Sequence, residues 1–486
     1  MDSKSRVFFT GSLRVSMGLR DRFRLTRSEQ GFIVCGLIEI KVRAEVDIEV
    51  EIPVEERILQ VLQYLGIQQA HFAGRVASDW QGMVTAHPEV ISSLTLVAPR
   101  AIEPGALEAI APRLLVFNAE RGRSTEDVQR AMLALPDATL VGLPEYVMST
   151  FADIAADRGD SIGQSMVAFL GRITQPNEVS ATPLKEGEGE VAGISYRVRG
   201  SGPPLVLLPL EYAPSQWEPL LPFLSQHYSI ITIGGAWLGV VARLEARGKG
   251  AYLGAVQKVI DETRLQPGER VLDVGCGPGG LDRWLARHTG GANPIVGVDI
   301  SPYLVREAAS LSRSEGLDRV LEFREANAEA LPFPDDNFDV SLSFTVIGGV
   351  DADRMLGEMI RVTKPGGRIG ILANAADQSC FVNVPARPEL KAKAEAQRVG
   401  LSNPLGCADA SLYRRIHQAG LILVEMFPQL ATYTDRPRLQ SMQQERIFPA
   451  LTPEEAEEWR AAVADAESER TFFIAEPFHC AVGTKP

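Results

Sequence analysis

The stretch Val271-Leu-Asp-Val-Gly-Cys-Gly-Pro-Gly-Gly280 constrains the fold of this 486-residue chain more than any other. Val271 to Val274 reads as a short buried strand, and glycines at 275, 277, 279 and 280 let the backbone turn tightly beside a ligand. Leu281 to His288 follows with helical spacing, Leu281 and Leu285 lying beside Trp284. Strand, glycine turn and helix open a nucleotide-type α/β site, whose ligand lies outside the carboxyl end of the strand. A second apolar strand, Pro294 to Asp299, ends in a carboxylate roughly 20 residues on, where a ribose diol is held.

A dinucleotide site wants its glycines as G-x-G-x-x-G, but the order here is Asp-x-Gly-x-Gly-x-Gly, starting at Asp273. This resembles motif I of the class I S-adenosylmethionine-dependent methyltransferases. The resemblance runs from about Val241 to the C-terminus. It takes in Leu321 to Asp339, similar to the family's adenine-reading stretch, and the turn and fifth strand Lys364-Pro-Gly-Gly-Arg-Ile-Gly-Ile-Leu372. It implies a Rossmann-like α/β domain with a seven-stranded mixed sheet and S-adenosylmethionine (SAM) as cofactor. Asp273, Gly275, Cys276, Gly277 and Gly279 would form the cofactor turn, and Asp299 with Ile300 would meet the ribose. Asn327 and Ala328 would read the adenine, and Phe344 lies near the end of the fourth strand, Val340 to Thr345, whose end faces the methyl group. Asn327 stands where the family has an acidic residue; its amide oxygen can still accept from the adenine amino group, or it caps a turn.

Catalytic residues are not set by this resemblance. The fourth strand is followed by Ile347-Gly348-Gly349, which offers no base. His417, His479, Tyr413 and Asp377 are candidates, none of them in a motif. Residues 375–450 are expected to supply the substrate lid. Cys380 and Cys407 raise the thought of a thiolate site for a soft metalloid, but their spacing matches no such pattern, and no metal is expected.

The N-terminal half carries a second pattern. Helix 54–65, strand 70–73, the turn Gly74-Arg-Val-Ala-Ser-Asp-Trp, a helix, His87-Pro-Glu and strand 94–99 resemble the middle of an α/β-hydrolase. Strands at 112–118 and 138–144 and a helix at 161–170 resemble its end. The family's chemistry needs a serine on a strained G-x-S-x-G turn, a histidine and a carboxylate. Val76 stands in the nucleophile's place, Gly122 in the acid's, and no histidine occurs between 88 and 226. Residues 194–208, 215–224 and 228–233 then resemble the beginning of the same fold, after its end. Either the domain is permuted, 191–235 adding strands to the sheet of 54–172, or the chain holds two partial copies with 1–50 as a decayed first half.

The expected organisation is an unassigned segment 1–50, a doubly wound hydrolase-like part 51–175, a linker 176–190, hydrolase-like strands 191–240 and a methyltransferase domain 241–486, with Gly234 to Lys249 as the connection into the last. A net charge of −13 without a basic block argues against nucleic acid as a partner. Five cysteines, an odd number without a C-x-x-C pair, fit free thiols in a reducing cytoplasm. No run of 18 apolar residues suggests a membrane span. The expected activity is methyl transfer from SAM to a small-molecule acceptor, the hydrolase-like part serving as scaffold, lid or homo-oligomer surface. Alternatives are a non-catalytic SAM-binding or protein-interaction module, and an esterase using Ser78.

Overall fold

The computed structural model describes residues 52–122, 124–148, 153–173, 184–396, 403–434, 438–439 and 442–486, which form two sheets with helices on both faces of each. Residues 1–50 and most of the expected linker 176–190 lie outside the described residues.

The first sheet has strands β1 (Ala70–Gly74), β2 (Ile91–Val97), β3 (Leu114–Gly122), β4 (Thr139–Met148), β5 (Gly187–Val191), β6 (Ile194–Arg199), β7 (Pro204–Leu207) and β8 (Ser229–Gly234). Their order across the sheet is β4-β3-β2-β1-β7-β8-β6-β5. β1 and β2 are buried at every residue, as parallel strands covered on both faces must be. Helices α1 (Val54–Tyr64), α2 (Ala77–Ala86) and α3 (Thr125–Met132) cover one face through Ile58, Leu62, Met83 and Val128. Helix α4 (Ile154–Ile173) covers the other with Met166 and Phe169. Residues 70–148 and 187–234 share this sheet, because β1 and β7 pair in parallel with His71 opposite Leu205. Read from the β5 edge, the strands would follow chain order far more closely if 187–234 preceded 70–148.

Four sequence expectations need correction here. Gly187–Val191 is a strand, paired antiparallel with β6, where a linker was expected. The helix expected at 161–170 extends to 173 and is joined at its start, across a kink at Arg158, to a short helical stretch from 154. Residues 215–224 give two short turns of helix, Pro214–Trp217 and Leu221–Leu224, because Pro219 and Pro222 interrupt backbone donors. The stretch 234–249, expected as a connection, contains helix α5 (Gly239–Glu245).

The second sheet comprises β9 (Val271–Val274), β10 (Ile295–Asp299), β11 (Leu321–Glu325), β12 (Phe338–Phe344), β13 (Thr363–Asn374), β14 (Phe381–Val382), β15 (Ile422–Tyr433) and β16 (Ile474–Thr484). β11-β10-β9-β12-β13 are parallel, and β16 runs antiparallel between β13 and β15. The mixed sheet therefore has seven long strands and a two-residue eighth, β14. β15 lies inside the span expected to be lid. It belongs to the sheet because Ala431 and Tyr433 alternate onto the core while Met426 and Leu430 face out. Helices α6 (Gly250–Thr263) and α7 (Gly280–His288) pack on one face. α8 (Pro302–Ser314) runs beside β10 and β11, and α9 (Ala352–Val362) packs on the opposite face. α10 (Pro388–Glu395), α11 (Ser411–Gln418) and α12 (Pro453–Ser468) complete the layers. α12 starts on a capping box, Thr452 Oγ1 accepting from Glu455 N at 3.3 Å while Glu455 accepts from Thr452 N at 3.0 Å. No described helix is long and apolar enough to cross a membrane.

Candidate cofactor site

β9 continues to β10 and β11 on one side, whereas β12 and β13 lie on the other. The carboxyl end of β9 is therefore the switch point of the second sheet, where α/β ligands bind. A cavity opens there against Asp273, Gly275, Cys276, Gly277 and Phe344, with Leu244, Arg247 and Tyr252 across it.

Local backbone chemistry makes the opening. Gly275 has φ +84°, and a Cβ on it would stand 2.1 Å from Val346 Cγ2, so only glycine fits there. Gly277 and Gly279 also have positive φ, and Gly279 caps α7. Asp299 accepts from Gly277 N at 2.9 Å through Oδ2 and from Ser301 N at 2.9 Å through Oδ1, so the carboxylate is fixed beside the turn. Each of its oxygens keeps lone-pair capacity for a further donor. Burial raises the Asp299 carboxyl above its usual range, against the pull of these backbone donors.

Asp273 is 4% exposed, and its Oδ1 has no hydrogen-bond partner. Burial pushes its carboxyl well up, and the nearby Asp282 and Asp299 push further. Burial likewise brings Asp282 up to about 7, against the opposing charge of Arg283. Asp273 lines the cavity, and its unpartnered oxygen can accept from a cationic group. Arg283, itself 2% exposed, is held by Glu245 and by Glu315 at 2.9 Å.

Opposite the turn, Thr345 has φ +61°, a strained conformation for a β-branched residue at the end of a strand. Its Oγ1 donates to Phe344 O at 2.7 Å and accepts from Arg247 Nη1 and Tyr252 Oη, both at 3.2 Å. The Arg247 guanidinium stands 5.3 Å over the Tyr252 ring. Burial raises the Tyr252 hydroxyl, so the phenol stays neutral. Leu244 and Arg247 were missed in the sequence because 234–249 was read as a connection. The apolar spacing of Val240, Val241 and Leu244 was the available helical signal.

The remaining expected residues sort as follows. Asp273, Gly275, Cys276, Gly277 and Phe344 line the cavity, and Asp299 adjoins it through Gly277. Ile300, 60% exposed, and Asn327 and Ala328 are not among the lining residues, although Ala326 N donates to Asp299 O at 3.0 Å and holds their turn nearby. Asn327 Oδ1 accepts from Glu329 N at 2.9 Å, so the side chain does cap a turn. Gly279 stands behind the cavity, where a Cβ would meet Phe323 at 2.7 Å.

Three of the four candidate bases come together. Tyr413 Oη donates to His479 Nδ1 at 2.9 Å, and His479 Nε2 donates to Asp377 Oδ1 at 2.7 Å. Partial burial would raise the Asp377 carboxyl, but the bonds from His479 and Ala410 N bring it below its usual range. This relay stands one residue along β16 from Phe478, whose ring meets Tyr252 edge-on at 5.5 Å. His417 is exposed on α11 and takes no part. Burial keeps the Cys276 thiol neutral and pushes Cys380 up to about 11 and Cys480 up to about 12. No cluster of three metal-ligating side chains occurs among the described residues.

In the first sheet, Ser78 Oγ donates to Asp79 Oδ1 at 3.2 Å. His71 bonds Ser93 and His87 faces Glu56 and Glu89, so neither serves Ser78 as a base. Val76 is in ordinary extended conformation, without the strain of a nucleophile elbow.

An α/β sheet with its glycine turn and two carboxylates at the switch point defines a nucleotide-type cofactor-binding domain. Residues 272–371 match the family described as methyltransferase domain, and this part of the chain is a methyltransferase domain. The chain is 40% identical over 114 residues to the ubiquinone/menaquinone biosynthesis C-methyltransferase UbiE of Vibrio campbellii, covering 23% of this chain and 44% of that protein. Its Hahella chejuensis counterpart is 39% identical over 114 residues, covering 23% and 46%. The chain thus spans less than half the length of these relatives. A solved geranyl diphosphate C-methyltransferase from Streptomyces coelicolor is 16% identical, covering 48% of this chain and 79% of that one. Its TM-score of 0.32 is too low to bear on function.

Proposed function

We propose that residues 241–486 bind SAM at the β9 turn and transfer its methyl group to a small-molecule acceptor. The observation that carries this is the buried Asp273 carboxylate with an orphaned oxygen beside a glycine cradle. These residues fit the group. Asp273, with Asp282 behind it, would hold the ammonium end, and Arg247, the cation lining the cavity, would meet the carboxylate. Asp299 would hold the ribose hydroxyls. When bound, SAM supplies an electrophilic methyl on a sulfonium, and the reaction then needs orientation more than acid–base power. Phe344, Tyr252 and Thr345 would shape the apolar wall beside the methyl and exclude water. The Tyr413–His479–Asp377 relay can take a proton from an acceptor through the phenol, with His479 as base and Asp377 holding its tautomer. We further read the first sheet as a permuted hydrolase-type scaffold without a triad, and the chain as cytoplasmic.

A second reading is a SAM-binding module without turnover, favoured by the Ile347–Gly349 turn, which carries no base. Calorimetric titration of SAM into the wild type and Asp299→Ala tests the site. We expect binding that weakens by roughly tenfold or more in the variant, as for loss of hydrogen bonds to a charged group. No binding by the wild type would sink the reading. Formation of S-adenosylhomocysteine (SAH) in an acceptor screen separates enzyme from module.

A further inference from the structure

Helix α5 lies between the two sheets and is fastened at both ends. At its start, Gly239 N donates to both oxygens of Asp79, at 2.9 and 3.1 Å, across 160 positions of sequence. Asp79 belongs to α2 of the first sheet and is 3% exposed. The next amide, Val240 N, donates to Glu211 O at 2.9 Å, again in the first sheet's part of the chain. The first amides of a helix have no partner within it, and here two of them are satisfied from outside. At its far end, Leu244 lines the cofactor cavity, Glu245 pairs with Arg283, and Arg247, two residues on, donates to Thr345. Along its side, Val240 and Val241 pack with Leu304 of α8, and Tyr212 joins the same cluster.

A seven-residue helix cannot hold itself in water, so its position is set by what grips it. The grip at one end is a carboxylate of the first sheet; the other end forms one wall of the cavity in the second. We propose that the first sheet is a constructive part of the cofactor site, and that Asp79 is the residue that positions α5, and with it Leu244 and Arg247, against the glycine turn. This rests on the cofactor reading above. It assigns the first sheet a role that needs no hydrolytic chemistry. It also accounts for a buried carboxylate three residues past Val76.

The test is calorimetric titration of SAH, which does not turn over, into the full chain as wild type, Asp79→Ala, Asp79→Asn and Val241→Ala, with amide hydrogen exchange of 239–247 read alongside. Asp79→Ala should weaken SAH binding about fivefold or more and speed exchange at 240–247, as for loss of a buried hydrogen bond. Asp79→Asn retains an acceptor for Gly239 N and should stay within about twofold of the wild type. Val241→Ala loosens α5 against α8 without touching Asp79; it should weaken SAH in the same direction and carries the test if Asp79→Ala does not fold. A folded Asp79→Ala with wild-type affinity would overturn the inference while leaving the cofactor reading intact. Equal losses in the Asn and Ala variants would overturn the hydrogen-bonded anchor. A wild type that does not bind SAH would overturn both readings.

Discussion

The two sheets each have a switch point, and they treat it in opposite ways. In the second, the crevice beyond β9 is floored by glycines and faced by Asp273, whose carboxylate has an oxygen without a partner. In the first, the carboxylate beyond β1 and β7 is Glu211, and it faces two arginines. Arg75 Nη1 stands 3.2 Å from Glu211 Oε2, Arg100 grips the other oxygen, and Gln216 Oε1 accepts from Glu211 N and Tyr212 N. Each crevice holds a carboxylate oxygen that accepts no hydrogen bond, but Glu211 is ion-paired with two arginines whereas Asp273 makes no ion pair among the described residues. An α/β sheet places a site by topology, but side chains decide whether anything can enter.

The contrast can be broken from either side. The largest effect should come from Gly275→Ala. The new Cβ meets Val346 and sits at φ +84°, and SAM affinity should fall roughly 100-fold or more, equivalent to about 3 kcal/mol, in the same titration. Wild-type affinity would mean the turn is not the cofactor floor.

Next is Glu211→Ala, which strands the buried Arg75. The first sheet should lose on the order of 3 kcal/mol in denaturant unfolding, as when one partner of a buried ion pair is removed. A loss below about 1 kcal/mol would show that the crevice is solvated, like its counterpart.

A smaller effect is expected in the pH dependence of the second sheet. Asp282 titrates at about 7 when folded and at 3.8 when unfolded. The folded state therefore holds more protons across that window, and this contribution to stability, full below the lower value, is lost as pH rises to 7. One proton gives at most about 1.4 kcal/mol per pH unit. Unfolding from pH 5 to 8 should show wild-type stability falling relative to Asp282→Asn; parallel curves would place that carboxyl in water.

The smallest effect belongs to Ser78→Ala. With only Asp79 as its partner, its loss should change stability by less than about 0.5 kcal/mol, and neither protein should hydrolyse p-nitrophenyl esters. Serine-dependent hydrolysis would end the contrast, since the first crevice would then be open.

Much of the second sheet was legible because local rules and the tertiary fold agree there. Val271–Val274 is buried throughout and needs apolar residues, and the φ of Gly275 needs glycine, so both leave marks in one short stretch. Asp299 was legible for the same reason, at the end of an apolar strand. β15 was not legible as a strand, since its exposed Met426 and Leu430 and its Pro428 obscure the alternation that buries Ala431 and Tyr433. The short α5 was hidden because its stability comes from partners 29 to 160 positions away rather than from its own propensity.

The sequence by itself determined the glycine turn and the carboxylate after the second strand, because each depends on residue identity at near neighbours. Only the tertiary structure decided that β1 and β7 share a sheet, that Tyr413, His479 and Asp377 meet, and that Asp79 holds a helix against the cofactor site. Those depend on which distant segments can bury one another and satisfy one another's amides, and no local pattern encodes that choice.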